Sequence, residues 1–177
     1  LTFIEKAGHE LVFEMIFSKQ PSDSSVYLVK ILHSLVSVPQ LTQKLIDNSY
    51  EIILLGGPQE DERNKEIAQK TGAEYNGYVP MHQFIDMVDQ CDIIVTGVTM
   101  ALHIAIGLKK QIVVMNNIFN KHEFELYGRG EIIEPSTQCT CYYKSVCVNP
   151  DYRCMEHLSV DSIFHSIQRR SLSLQNQ

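Results

Sequence analysis

Two rhythms of apolar and polar positions run along the chain. From Leu1 to Lys19, Ile4, Ala7, Leu11, Met15 and Ile16 recur at helical spacing, with Glu5, Lys6, Glu10 and Glu14 between them. That spacing predicts a helix. Gln20–Ser25 is polar and reads as a loop, and Val26–Val38 fits either a buried strand or a helix. Leu41–Asn48, after Pro39, reads as a helix. Glu51–Leu55 is a strand, and Gly56, Gly57 and Pro58 make a tight turn. Gln59–Thr71 is a charged helix with Ile67 and Ala68 inward, stopped by Gly72 as a C-terminal cap. Glu74–Tyr78 reads as a short strand. Pro80 opens a helix to Gln90 with Met81, Phe84, Ile85 and Val88 on one face.

Cys91–Asn117 carries the clearest pattern. Asp92–Thr96 and Gln111–Met115 are β-branched runs without alternation, and the apolar helix Ala101–Leu108 joins them through the loop Gly97–Met100. Strands apolar on both faces belong to sheets covered on both sides. Asn117–Gly130 is a polar and aromatic loop with a helical turn at His122–Leu126, and Ile132 and Ile133 make a last strand. Val160–Arg170 is a closing amphipathic helix with Ile163, Phe164 and Ile167 inside.

Alternating strands and helices predict an α/β fold, a Rossmann-like doubly wound parallel sheet. The expected organisation is an N-terminal segment at 1–49, either separate or the first part of the same domain, a nucleotide-binding unit at 50–170, and a tail at 171–177. In such sheets a ligand sits at the carboxyl ends of the strands. That rule selects Gly56, Gly57, Gly97, Thr99 and His103.

Composition narrows the function classes. The 177 residues suit one ordinary domain, and a net charge of −6 argues against a general nucleic-acid surface. No apolar run reaches the roughly 18 residues of a membrane span, and no basic-then-apolar leader opens the chain. The expectation is a cytoplasmic protein without a membrane span. Leu1 is not an initiating residue, so the chain reads as processed, truncated, or the ordered part of something longer.

Four constellations carry candidate chemistry. After the Gly56-Gly57 turn, Glu60 stands where a carboxylate accepts ribose hydroxyls, or where it complements a helix dipole. The turn is not a G-x-G-x-x-G fingerprint, which disfavours a nicotinamide dinucleotide. Thr99 and His103, four residues apart, fit a phosphate clasp at a helix N-terminus, or a capping threonine and a satisfied histidine. Cys139, Cys141, Cys147 and Cys154 crowd one loop. Structural zinc, disulfides and unliganded thiols are all open there, and C-x-C departs from the usual zinc pair spacing. Cys91, at a strand start, reads as a buried small hydrophobe. Asn116–Arg129 borders the same edge and offers polar groups to a base or a sugar, or is a surface loop pinned by Phe119, Phe124 and Tyr127.

The runs ILLGGPQEDERNKEIAQKTGA and GYVPMHQFIDMVDQCDIIVTGVTMALHIAIGLKKQIVV, followed by the C-x-C…C…CM segment, resemble the C-terminal half of glycosyltransferase family 9, the lipopolysaccharide heptosyltransferases. The resemblance covers about Tyr50 to Ile167. It implies one half of a GT-B architecture, in which this half binds the nucleoside diphosphate sugar. The missing N-terminal domain would bring the glycan or lipid-linked acceptor and the catalytic base, so no catalytic residue is expected in this chain. By resemblance Glu60 holds the donor ribose and Met81 lies near the base. Thr99 and His103 match the family's Asp-Thr-Gly-x-x-His loop around the diphosphate and sugar. The implied reaction is inverting transfer of a heptose-like sugar without a metal cofactor, with the enzyme cytoplasmic or peripheral at the inner membrane. Val98 and Met100 replace the loop's aspartate and glycine, and the family's glycine- and threonine-rich phosphate loop, expected within Val26–Gln40, is not found there, Lys30 being only a weak candidate for its lysine. Two further readings stand beside this one: a GT-B nucleotide-sugar epimerase, and a truncated non-catalytic nucleotide-binding or assembly module; self-association is a separate expectation for a half-enzyme with a bare domain face.

Overall fold

The computed structural model describes residues 14–19, 25–30, 38–117, 119–136, 141 and 157–175, the first two segments by backbone alone. In chain order the strands are β1 (Glu14–Lys19), β2 (Ser25–Lys30), β3 (Leu54–Gly56), β4 (Ile93–Gly97), β5 (Gln111–Met115) and β6 (Gly130–Ile133). The α-helices are α1 (Val38–Asp47), α2 (Asp61–Thr71), α3 (Met81–Asp89), α4 (Met100–Gly107) and α5 (Val160–Gln175). The strands form one sheet in the order β3-β1-β2-β4-β5-β6.

Strands β2, β4, β5 and β6 run parallel, while β1 is antiparallel to both its neighbours, β2 and β3. Two reversals cancel, so β3 points the same way as β4. The carboxyl ends of β3, β4 and β5 therefore share one edge. The α/β fold with parallel strands expected from the pattern is present, with β1 as an antiparallel strand inside it.

Every residue of β4 and β5 is buried. A strand buried on both faces needs a helical layer on each side, and the alternation of side chains sorts them. Ile93, Val95 and Val113 face a layer containing Leu41 and Leu45 of α1, Ile67 of α2 and Ile163 and Ile167 of α5. Ile94, Ile112 and Val114 face Phe84 and Val88 of α3 and Ala101, Leu102 and Ala105 of α4. Small residues on α4 let it lie close over the sheet. Gly72 ends α2 as expected, with φ +78° and its N–H donated to Ala68 O. Cys91 is buried, and its Sγ donates to Met87 O at 2.6 Å.

The sheet's far edge is tied to α5 by charge. Arg169 donates to both carboxylate oxygens of Glu131 on β6, at 3.1 and 2.5 Å, and Ser166 Oγ donates to Oε2 at 2.8 Å. Arg170 Nη2 lies 3.1 Å from Oε1. The Arg169 guanidinium, helped by Ser166 and Arg170, holds the Glu131 carboxyl below its ordinary value of 4.5.

Several expectations are corrected. Glu14–Lys19 is a strand, not the end of a helix. Met15, Ile16 and Phe17 are consecutive as well as helically spaced, and pairing with strands on both sides decides between the two periods. The rest of that predicted helix, 1–13, lies outside the described residues. The expected strand at Glu74–Tyr78 shrinks to one bridge between Ile53 and Glu74. Met81 and Ile85 are exposed at 48% and 37%, while Phe84 and Val88 alone on α3 are buried. The turn near His122 is a 3-10 helix at Lys121–Glu123, and α5 continues to Gln175 rather than stopping at Arg170.

Two predictions follow from this packing. A Cβ at Gly130 would lie 2.8 Å from Leu126 Cδ1 and 2.9 Å from Ile112 O, the latter rigid backbone. Gly130→Ala is expected to lower stability by about 1–3 kcal/mol in urea melts, and an unchanged midpoint would contradict the close approach. For Glu131, a folded pKa below the unfolded one means a contribution fully present above pH 4.5 and lost as pH falls through the lowered value. Glu131→Gln is expected to flatten the acid side of the melting-temperature profile, and an unaltered acid limb would remove Glu131 from the account.

Candidate functional site

Three loops leave the shared carboxyl edge, and each is closed by a side-chain hydrogen bond spanning three residues. After β3, the Gly57 N–H donates to Glu60 Oε2 at 2.7 Å, and the Glu60 N–H donates back to Gly57 O at 3.1 Å. The pair is reciprocal, as in a capping box, and it fixes how the chain enters α2. Glu60 is 1% exposed, and a Cβ at Gly57 would stand 3.0 Å from its Oε2. Glycine is therefore needed for close approach at 57, where φ is an ordinary −83°. The resemblance implies a ribose contact for Glu60; the visible bond is to its own turn. Next in the chain, Asp61 accepts from Lys65 and from the Tyr75 hydroxyl, which keeps its carboxyl below the usual range. Burial, with Asp61 assisting, pushes the Tyr75 phenol up.

After β4, Thr96 and Thr99 are both buried, and their hydroxyl oxygens lie 3.1 Å apart. Thr99 occupies the N-cap position of α4 with extended backbone, φ −149° and ψ 178°, yet its side chain makes no cap bond. It turns to Thr96 instead. The first N–H groups of α4 are thus not taken by a side-chain cap, and they carry the positive end of the helix dipole. Val98 is half-buried and Met100 is 39% exposed. His103, one turn on, is exposed while Thr99 is buried. The structure brings both to the start of α4 but at different depths.

After β5, Asn116 is 1% exposed, and its Nδ2 donates to Phe119 O at 2.9 Å and to Glu134 Oε1 at 3.2 Å. Lys121 Nζ is 2.9 Å from the other oxygen of Glu134. The loop is thereby tied to the end of β6. Phe119, 44% exposed, stands out from it.

The remaining candidates divide. Met81 and Tyr78, 48% and 57% exposed, flank the entry to α3. Gly56 ends β3 and Gly97 ends β4, both buried. Of the cysteine cluster, Cys139, Cys147 and Cys154 lie outside the described residues, and Cys141 is buried in the layer beneath α1 and α5. Among the described residues no group of three or more His, Cys, Asp or Glu could hold a metal ion. No described helix is long and apolar enough to cross a membrane. Asn116 opens the Asn116–Arg129 run that the sequence already reads as bordering this edge, whereas spacing does not select Thr96, inside β4, and only the fold pairs it with Thr99.

The model of glycosyltransferase family 9 (heptosyltransferase) matches residues 39–151. By fold the chain is similar to ADP-heptose LPS heptosyltransferase II of E. coli, at 16% identity and TM-score 0.59, over 77% of this chain and 41% of that one. It is similar also to E. coli heptosyltransferase WaaC with ADP-2-deoxy-2-fluoro heptose, at 15% identity and TM-score 0.61, over 85% and 45%. The chain spans less than half the length of either. No curated protein matches it.

The threonine pair supplies a test of the loop geometry. Thr96→Val and Thr99→Val are each expected to cost about 1 kcal/mol. The double variant should cost less than the two together, because they share one bond. Strictly additive losses in denaturant melts would count against that bond.

Proposed function

The chain belongs to glycosyltransferase family 9, and on that premise we propose that it is the donor-binding half of an inverting GT-B glycosyltransferase. Such an enzyme would act in the cytoplasm, passing a heptose-like sugar from a nucleoside diphosphate sugar to a lipopolysaccharide or related glycan. The observation that carries the reading is the carboxyl edge. The Gly56–Glu60 turn, Met81, Thr99 and His103 all border it, beside a helix end that no side chain caps.

The strand order gives the edge a length that suits such a ligand. Strands β3 and β4 are three strand spacings apart, roughly 14 Å at the usual separation. A nucleoside diphosphate bridges that span. Its nucleoside would lie toward the Gly56–Glu60 turn, with Met81 beside the base. Its diphosphate would lie at the start of α4, where N–H groups and the dipole favour an anion. Fixed donors there stabilise a diphosphate most as it leaves with its full charge, so they lower the barrier to transfer. His103, exposed one turn along, is placed to donate to the same phosphates. Glu60 fixes the turn that the nucleoside approaches, and direct contact with ribose requires that turn to open first. The catalytic base and the acceptor belong to a domain outside this chain.

The second reading, a binding module without turnover, is favoured by Val98 and Met100, which offer a ligand no side-chain hydrogen bond where the resemblance places the loop's aspartate and glycine. The same experiment bears on both. Calorimetric titration with ADP, UDP, GDP and CDP is expected to show selective binding of one nucleotide. His103→Ala should weaken it by about tenfold, or ~1.4 kcal/mol. Failure of all four to bind would defeat the donor-site reading, while binding unaffected by His103→Ala would take His103 out of it.

A further inference from the structure

We propose that the Asn116 carboxamide is a specificity-determining group for the transferred sugar, its Oδ1 accepting a hydrogen bond from a sugar hydroxyl. The proposal rests on the donor-site reading above and adds a residue to it. Asn116 is 1% exposed, yet its Oδ1 has no hydrogen-bond partner among the described residues. The direction of the amide is fixed by its other end: two acceptors, Phe119 O and the Glu134 carboxylate, flank Nδ2. Flipping it would set an oxygen against both, so the orphaned atom is the carbonyl. A buried acceptor left unpaired is costly, and one kept at a ligand edge points to a donor that arrives with the ligand.

Position says which part of the ligand that is. In the register, Gly97 lies beside Met115, so the next residues, Val98 and Asn116, are neighbours across the two strand ends. Alternation along β5 puts Ile112 and Val114 on the face covered by α3 and α4, and Asn116 continues that face. Asn116 therefore sits beside the start of α4, one strand beyond Thr99 and on the side away from Glu60. With the nucleoside toward β3 and the diphosphate at α4, the group reaching β5 is the sugar. Val98, its neighbour, has no hydrogen-bonding side chain. The amide is neutral and offers an acceptor that a hydroxyl can use without burying another charge. Among the described residues Phe119 O closes over the amide through its bond from Nδ2, and the sugar reaches Oδ1 once that bond opens.

The test compares ADP with ADP-heptose on the full chain by calorimetry, for the wild type, Asn116→Ala and Glu134→Ala. Glu134→Ala removes the tether to Nδ2 and to Lys121 but keeps Oδ1, and thus reports loosening of the loop alone. Asn116→Ala is expected to leave ADP affinity unchanged and to lower ADP-heptose affinity roughly three- to tenfold. Glu134→Ala should leave the difference between the two ligands as in the wild type. Equal loss for both ligands in Asn116→Ala, no loss for either, or the same sugar-specific loss in Glu134→Ala would overturn the assignment while the donor site stands. Should the wild type bind neither ligand, this assignment falls, and the donor-site reading falls with it only where UDP, GDP and CDP also fail to bind.

Discussion

The complete burial of two adjacent parallel strands is the constraint on which the rest of this molecule depends. Ile93–Gly97 and Gln111–Met115 expose nothing on either face. Their backbone groups are satisfied within the sheet, and their side chains must be met by helices above and below. That requirement fixes the α1, α2 and α5 layer on one side and the α3 and α4 layer on the other. It also leaves the strand ends as the places where backbone polar groups emerge beside helix starts.

Chemistry collects at those ends for the same reason. A helix of only eight residues, α4, is held against the sheet by Ala101, Leu102 and Ala105, all buried. Its position is therefore set by packing and not by a cap, and Thr99 is left to bond Thr96 in place of the helix. The result is a helix start that carries the positive end of the dipole with no acidic side chain in its first turn. Glu60 shows the complementary arrangement: a charged group withdrawn from solvent to shape a turn whose backbone is the surface that a ligand would meet.

Much of the fold was legible in the sequence where one periodicity had no competitor. The runs around Ile93–Val95 and Ile112–Val114 admit only a buried strand between turn signals, and Gly72 could only be a stop. The family motifs lay on these same segments. Legibility failed where two patterns coincide or where partners are distant. Met15 and Ile16 satisfy a helix and a strand at once, and pairing with β2 and β3 settled it. Met81 and Ile85 have the spacing of a core face, but α3 buries a narrower stripe, of Phe84 and Val88. The site was half legible: spacing indicated Thr99 and His103 but not that Thr99 would be buried and His103 exposed. The run from Asn116 reads as polar groups at this edge, but the burial of Asn116 and the pairing of Thr96 with Thr99 depend on the fold beyond any local window.

The three edge loops share a property with a consequence for how this surface can change. Each is closed from within, by Gly57 and Glu60, by Thr96 and Thr99, and by Asn116 and Phe119. None of these closures borrows a group from another of the three. A substitution that removes one closure therefore leaves the hydrogen bonds of the other two in place. Such an edge is modular. Descendants of this chain can therefore vary one corner of the edge at a time, because no one of the three closures supplies a group to another.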